Sequence, residues 1–113
     1  MPEGSWTVSY AIAVVFDARN RAYTEDWLSG FRRVFTGLGG TLSAEIAFDS
    51  SESPDHARLV RSLLATKPDG LLFIASAVDT ARFAQAARDA AGKLPLIGVE
   101  WSSTERLIEL GGK

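Results

Sequence analysis

The apolar positions along the chain predict four β-strands. Residues 10–16 and 71–75 are continuous apolar runs, which are typical of strands covered on both faces. Residues 41–48 alternate between apolar and polar side chains, which predicts an edge strand with one buried face. A shorter apolar run at residues 96–99 predicts the last strand, because the proline before it is tolerated at a strand start. The buried face of the edge strand is expected to carry Leu42, Ala44, Ile46 and Phe48.

Two helices are predicted in the first half of the chain, where apolar residues recur at intervals of three and four. The first begins with Thr24 as its N-cap and ends near Gly37, since glycine favours a helix end. The second begins with Ser53 as its N-cap and Pro54 at the first helical position.

Two further helices are predicted in the second half. One begins at Asp79 or Thr80 and ends at Gly92. The other begins at Ser102, which has the spacing of a capping box with Glu105. Its apolar residues are Leu107, Ile108 and Leu110.

Strands and helices therefore alternate, which predicts a single α/β domain over residues 1–113, with residues 1–6 outside the packed fold. Right-handed connections and the edge position of the second strand predict a three-layer, doubly wound parallel sheet with strand order 2-1-3-4. In such a sheet ligands bind beyond the carboxyl ends of the strands, so we expect a functional site at that edge.

Composition excludes several classes of function. Twelve Lys and Arg against fourteen Asp and Glu give a formal charge of -2, so neither nucleic acid nor an anionic membrane is expected as a partner. The absence of cysteine excludes a disulfide scaffold, a thiolate metal site and a cysteine nucleophile. The longest apolar runs are about seven residues, far short of the roughly 20 that span a bilayer.

The common motifs of catalysis and cofactor binding are missing from the sequence. The segment after the first strand, FDARNRAYT, has no glycine for a dinucleotide or phosphate loop. No serine stands in a G-x-S-x-G nucleophile elbow, and no aspartate of a phospho-acceptor domain ends the third strand. The single histidine, His56, is expected to be a solvated or capping residue, remote from the carboxyl edge. We therefore expect no catalytic residue, no metal and no cofactor.

Polar and aromatic residues follow three of the predicted strands and converge on the carboxyl edge. They are Asp17, Arg19, Asn20 and Tyr23 after the first strand, Ser76 and Asp79 after the third, and Glu100, Trp101 and Ser102 after the fourth. Such groups next to helix N-termini suit reversible recognition of a small polar ligand. Bond breaking is not expected, because no base is paired with a nucleophile.

Four segments of the sequence together resemble a known family. They are AVVFDARNRAY, FRRVFTGLGG, PDGLLFIASAVDTARFAQAARDAAG and PLIGVEW. In this order they resemble type I periplasmic binding proteins of the Leu/Ile/Val-binding branch, also called extracellular ligand-binding receptors. The resemblance spans nearly the whole chain and matches part of the second, C-terminal lobe of these two-lobed proteins.

The resemblance implies roles for four residues. Tyr23 matches an aromatic residue that covers the ligand. Glu100 matches an acidic residue that accepts hydrogen bonds from the ligand's ammonium group. Ser76 and Ala77 stand where relatives often have a second aromatic residue, which implies a larger or more polar pocket.

Alternatives remain open for these positions. Trp101 could stack on a planar ligand or serve as a core or interface residue, and Asp17 could reach the crevice or form a surface pair with Arg19. Tyr23 could equally pack at the helix start, and Glu100 could favour the N-terminus of the helix predicted after it.

The function implied by the resemblance is solute binding. The parent protein would be a periplasmic or extracellular component of an ABC-type importer, holding an amino acid or related ligand between two lobes and delivering it to a membrane permease. A ligand-sensing domain of a signal-transduction receptor and, more remotely, a flavodoxin-like enzyme are the alternatives. Unpaired outer strands also predict a homodimer through an exposed sheet edge.

Overall fold

The computed structural model describes residues 10–100 and 106–110. Within them, five strands form one sheet in the order β2-β1-β3-β4-β5. The strands are β1 (Ala11–Asp17), β2 (Thr41–Phe48), β3 (Gly70–Ile74), β4 (Leu96–Glu100) and β5 (Arg106–Leu110). The α-helices that connect the first four strands are α1 (Arg21–Gly37), α2 (His56–Leu64) and α3 (Ala77–Ala91). Single turns of 3₁₀-helix precede α1 and α2, at Ala18–Asn20 and Ser50–Glu52.

The first four strands confirm the predicted fold class. β1 pairs in parallel with β2 and β3, and β3 pairs in parallel with β4, which gives the order 2-1-3-4. The central strands β1 and β3 are the two continuous apolar runs of the sequence, and they are buried along almost their whole length. Helices lie on both faces, so the sheet is the middle layer of a doubly wound, Rossmann-like domain.

The predicted fourth helix is wrong. Leu107, Ile108 and Leu110 lie in β5, which pairs antiparallel with β4. A short apolar run is compatible with a helix or a strand, and here the run satisfies backbone groups along the open edge of β4. Among the described elements, the edge strands are therefore β2 and β5. Ser102 and Glu105, the predicted capping box, lie outside the described residues.

Two apolar clusters hold the helices on the sheet. Beneath α2 and α3, the buried members include Ala13, Val15, Phe48, Val60, Leu63, Leu71, Phe73, Phe83, Ala84 and Ala87. Beneath α1, they are Ile12, Val14, Phe16, Leu28, Leu72, Ile74 and Val99. Complete burial of one such large apolar side chain contributes about 1.5–3 kcal/mol.

β2 departs from strict alternation near its start. Its pairing with β1 skips Ser43, which is an extra residue in the strand. One extra residue exchanges the faces toward which the following side chains point. Leu42 therefore packs with the cluster beneath α1, whereas Ala44, Ile46 and Phe48 pack beneath α2 and α3. The prediction of one shared face is wrong for Leu42.

The first two helices begin at residues other than those predicted. α1 begins at Arg21, and Thr24 is buried inside it, where its hydroxyl donates to the carbonyl oxygen of Asp17 at 3.1 Å. α2 begins after Asp55, whose carboxylate accepts a backbone N–H of the first turn at 3.1 Å. Ser53 lies before this cap with a left-handed φ of 52°, so it is not the N-cap. The predicted ends of α1 at Gly37 and of α3 at Gly92 are confirmed.

Gly40 and Gly37 form a matched pair for a stability test. The ring of Phe35 occupies the space where a Cβ at Gly40 would lie, whereas the corresponding space at Gly37 is open. Gly40→Ala is expected to displace this ring and lower the free energy of unfolding by about 1–3 kcal/mol. Gly37→Ala is expected to be neutral or to raise it by about 0.4–1 kcal/mol. Denaturant unfolding measures both changes, and equal stability of the two variants would contradict this packing of Phe35.

Candidate functional site

The carboxyl ends of β1 and β3 lie on the two sides of the point where the strand order reverses. α1 leaves β1 toward one face of the sheet, and α3 leaves β3 toward the other. Doubly wound sheets bind ligands where two such connections diverge. We call residues 17–20, residues 75–77 and Glu100, which end or follow three neighbouring strands, the carboxyl-edge rim.

Asp17 ends β1 and organises the loops beside it. The residue is 2% exposed. Its Oδ1 accepts the backbone N–H of Arg19 at 3.0 Å and that of Ser50 at 3.3 Å. Its carbonyl oxygen accepts the hydroxyl of Thr24. Asp17 therefore joins both 3₁₀ turns to the first turn of α1. Its predicted contact with a ligand stays a prediction.

Ser76 begins α3 and shares a reciprocal cap with Asp79. The Oγ of Ser76 accepts the backbone N–H of Asp79 at 3.3 Å, and the hydroxyl donates to Asp79 Oδ2, also at 3.3 Å. The helix consequently starts at Ala77, so the predicted start at Asp79 or Thr80 is wrong. The sequence signal for the true start is the spacing S-x-x-D at residues 76–79. Ser76 is half-buried and Ala77 is exposed, so both are at the surface of the rim.

His56 lies at this same edge of the sheet, and the prediction of a solvated or capping residue remote from it is wrong, since the N-cap of α2 is Asp55. Its Nε2 is 2.8 Å from Asp79 Oδ1, and the two side chains are only 12% and 14% exposed. The imidazole packs edge-on against the ring of Phe83, with centroids 4.6 Å apart. A helix that follows a parallel strand starts at the carboxyl edge, so topology places the first turn of α2 there. The packing of α2 beside α3 then brings His56 to Asp79.

Tyr23 and Glu100 lie near opposite ends of the rim. Tyr23 is in the first turn of α1, where it is half-buried and its phenolic oxygen is shielded from solvent. Glu100 is the last residue of β4, and its backbone pairs with Arg106 of β5. Trp101 lies outside the described residues. The contacts of these three residues with a ligand stay predictions.

Asp49 places a negative charge just beyond the end of β2. Its Oδ1 accepts the hydroxyl of Ser51 at 2.6 Å and the backbone N–H of Ser51 at 2.9 Å. These hydrogen bonds favour the charged carboxylate and lower the pKa of Asp49, and the bond from the hydroxyl has the larger effect. The positive charge of Arg19 lowers this pKa further, by a smaller amount. Asp49 therefore keeps its charge to more acidic pH than an ordinary aspartate.

Among the described residues, no group of three His, Cys, Asp or Glu side chains is placed to hold a metal ion. No helix in this part of the chain is long and apolar enough to cross a membrane. A scan against protein-family models and a search of curated proteins give no match for the sequence. The geometry of the rim and the sequence resemblance are therefore the two grounds for a functional proposal.

Proposed function

We propose that this chain is part of a solute-binding lobe that takes an amino acid or related small polar ligand at the carboxyl-edge rim. The observation that carries the proposal is the divergence of α1 and α3 at the ends of β1 and β3. This is the position at which doubly wound sheets bind ligands. The polar residues at this edge and the resemblance to type I periplasmic binding proteins support the same conclusion.

In this proposal the rim binds its ligand without transforming it. Glu100 accepts hydrogen bonds from the ligand's ammonium group, which makes a charge-assisted pair. Tyr23 and Trp101 cover the remainder of the ligand. The hydroxyl of Ser76 and the small side chain of Ala77 leave room for a polar substituent.

The other half of the proposed clamp is a second lobe that holds the carboxylate end of the ligand. Closure of the two lobes excludes water, which strengthens the charged pair at Glu100. The parent protein would then be a periplasmic or extracellular receptor that delivers its ligand to the permease of an ATP-driven importer. Because one lobe supplies only part of the contacts, the chain alone is expected to bind weakly.

Chemical-shift titration of the isotope-labelled chain tests this proposal, with L-leucine, L-glutamine, L-phenylalanine and urea as probes. We expect at least one amino acid to bind with a dissociation constant between about 1 and 10 mM, which corresponds to about -4 to -3 kcal/mol. The largest shifts are expected at the backbone amides of residues 17–20 and 76–78 and of Glu100. The proposed site would be contradicted if the shifts were confined to other parts of the sheet. It would also be contradicted if no probe caused a shift at a concentration of roughly 10 mM.

A matched pair of glutamate variants tests the role of Glu100. Glu100→Gln is expected to weaken amino-acid binding about tenfold, since it removes the charge that attracts the ammonium group, at a free-energy cost of about 1.4 kcal/mol. The control Glu52→Gln changes an exposed carboxylate in a 3₁₀ turn and is expected to leave binding unchanged. Equal loss of affinity in both variants would point to net charge and not to Glu100. Micromolar binding by the single chain would contradict the requirement for a second lobe.

A further inference from the structure

A continuous line of polar contacts joins α2 to the start of α3. It begins at the imidazole of His56, whose Nε2 lies 2.8 Å from Asp79 Oδ1. The other carboxylate oxygen, Asp79 Oδ2, accepts the hydroxyl of Ser76 at 3.3 Å, and the Ser76 Oγ accepts the Asp79 backbone N–H. Because Ser76 is the N-cap of α3, the imidazole is two contacts away from the rim.

Within residues 10–100, the polar contact of this imidazole is with Asp79, and its apolar contact is with an aromatic cluster. Its ring packs against Phe83, which in turn stacks on Phe73 of β3 and meets Phe48 of β2, so the side toward the sheet is apolar. With His56 and Asp79 only 12% and 14% exposed, the contact is largely shielded from water.

The charged groups that share the outer groove with His56 come from both helices. α2 contributes Asp55 and Arg61, and α3 contributes Arg82 and Asp89. An imidazole is neutral with one ring proton and positive with two. A change in protonation at His56 therefore changes the net charge of this groove.

We propose that proton binding at His56 regulates the carboxyl-edge rim by acting through Asp79 on the N-cap of α3. The neutral imidazole forms a hydrogen bond with Asp79, and the protonated imidazole forms an ion pair that balances the carboxylate. The added charge on the imidazole alters the strength of the hydrogen bond that Asp79 accepts from the Ser76 hydroxyl. It also adds a positive charge behind the rim, which weakens the attraction for a ligand's ammonium group. This last consequence rests on the proposed function, whereas the link between His56 and Ser76 does not.

A pH titration of the ligand-free, isotope-labelled chain tests the link. The sequence has a single histidine, so the imidazole signals in the spectrum report His56 alone. Over the pH range in which the imidazole signals move, we expect the backbone amides of Ser76, Ala77 and Asp79 to shift with them. Amides of α3 that stay fixed while the imidazole titrates would overturn the proposal.

Two variants separate this link from other titrating groups. His56→Gln keeps a side-chain N–H that can donate to Asp79 but cannot take up a proton, so the shifts at residues 76–79 are expected to disappear from this pH interval. In Asp79→Asn the Ser76 amide is expected no longer to follow the imidazole signals. Persistence of the wild-type shifts at Ser76 in either variant would overturn the proposal. Failure of ligand binding with this pattern intact would count against the proposed function alone.

Discussion

Replacement of Phe83 by alanine is expected to lower the free energy of unfolding by about 3–5 kcal/mol. Phe83 is fully buried, and its ring centroid lies 5.1 Å from that of Phe48, 5.4 Å from that of Phe73 and 4.6 Å from that of His56. These three rings belong to β2, β3 and α2, so they cannot all move together to fill the cavity that alanine would leave. In thermal unfolding, we expect the Tm to fall by roughly 15 °C.

Val78→Ala is the matched control for this change, because Val78 is in the same helix but is 62% exposed. It is expected to alter the free energy of unfolding by less than about 0.5 kcal/mol. A loss below about 1 kcal/mol in Phe83→Ala would contradict the central position of this ring between the sheet and the two helices.

Asp17→Ala is expected to cost about 2–4 kcal/mol, because two backbone N–H groups lose their acceptor and each loss costs about 1–3 kcal/mol. These groups belong to Arg19 and Ser50, which lie in the two 3₁₀ turns beside the rim. Urea denaturation measures the loss of stability. Hydrogen exchange measured residue by residue is expected to accelerate first at the amide of Ser50, since its bond to Asp17 joins the 3₁₀ turn after β2 to the end of β1.

Asp17→Asn provides the control, since asparagine keeps an oxygen where Oδ1 accepts both N–H groups. It is expected to cost no more than about 1 kcal/mol, so most of the stability lost in Asp17→Ala is expected to be retained. If the asparagine variant were as unstable as the alanine variant, the charge of Asp17 and not its acceptor geometry would hold the loops.

The four parallel strands were predictable because the local pattern of apolar side chains shows how each of them is buried. A strand covered on both faces needs an uninterrupted apolar run, and residues 10–16 and 71–75 are such runs. They coincide within one residue with β1 and β3. The alternation at residues 41–48 identified the edge strand β2, and right-handed connections then left the order 2-1-3-4.

The helix starts were less predictable because several neighbouring polar residues compete for each cap. Ser53 and Asp55 are both good N-caps, and the backbone selects Asp55 because Ser53 adopts a left-handed conformation. At α3 the competition was between Ser76 and Asp79, and the structure uses both side chains in one reciprocal cap. The places of these residues at the carboxyl edge still followed from topology, since the ends of all four parallel strands lie on one side.

The sequence by itself determined the α/β class, the parallel order of four strands and the edge at which polar residues gather, because these depend on local periodicity and chain connectivity. Tertiary structure alone decided that residues 106–110 pair with β4, that Ser43 is an extra residue which turns Leu42 to the other face, and that His56 meets Asp79. Each of these depends on contacts between segments that are distant in the chain. His56 and Asp79 are 23 residues apart, and no local pattern records which side chains two packed helices bring together.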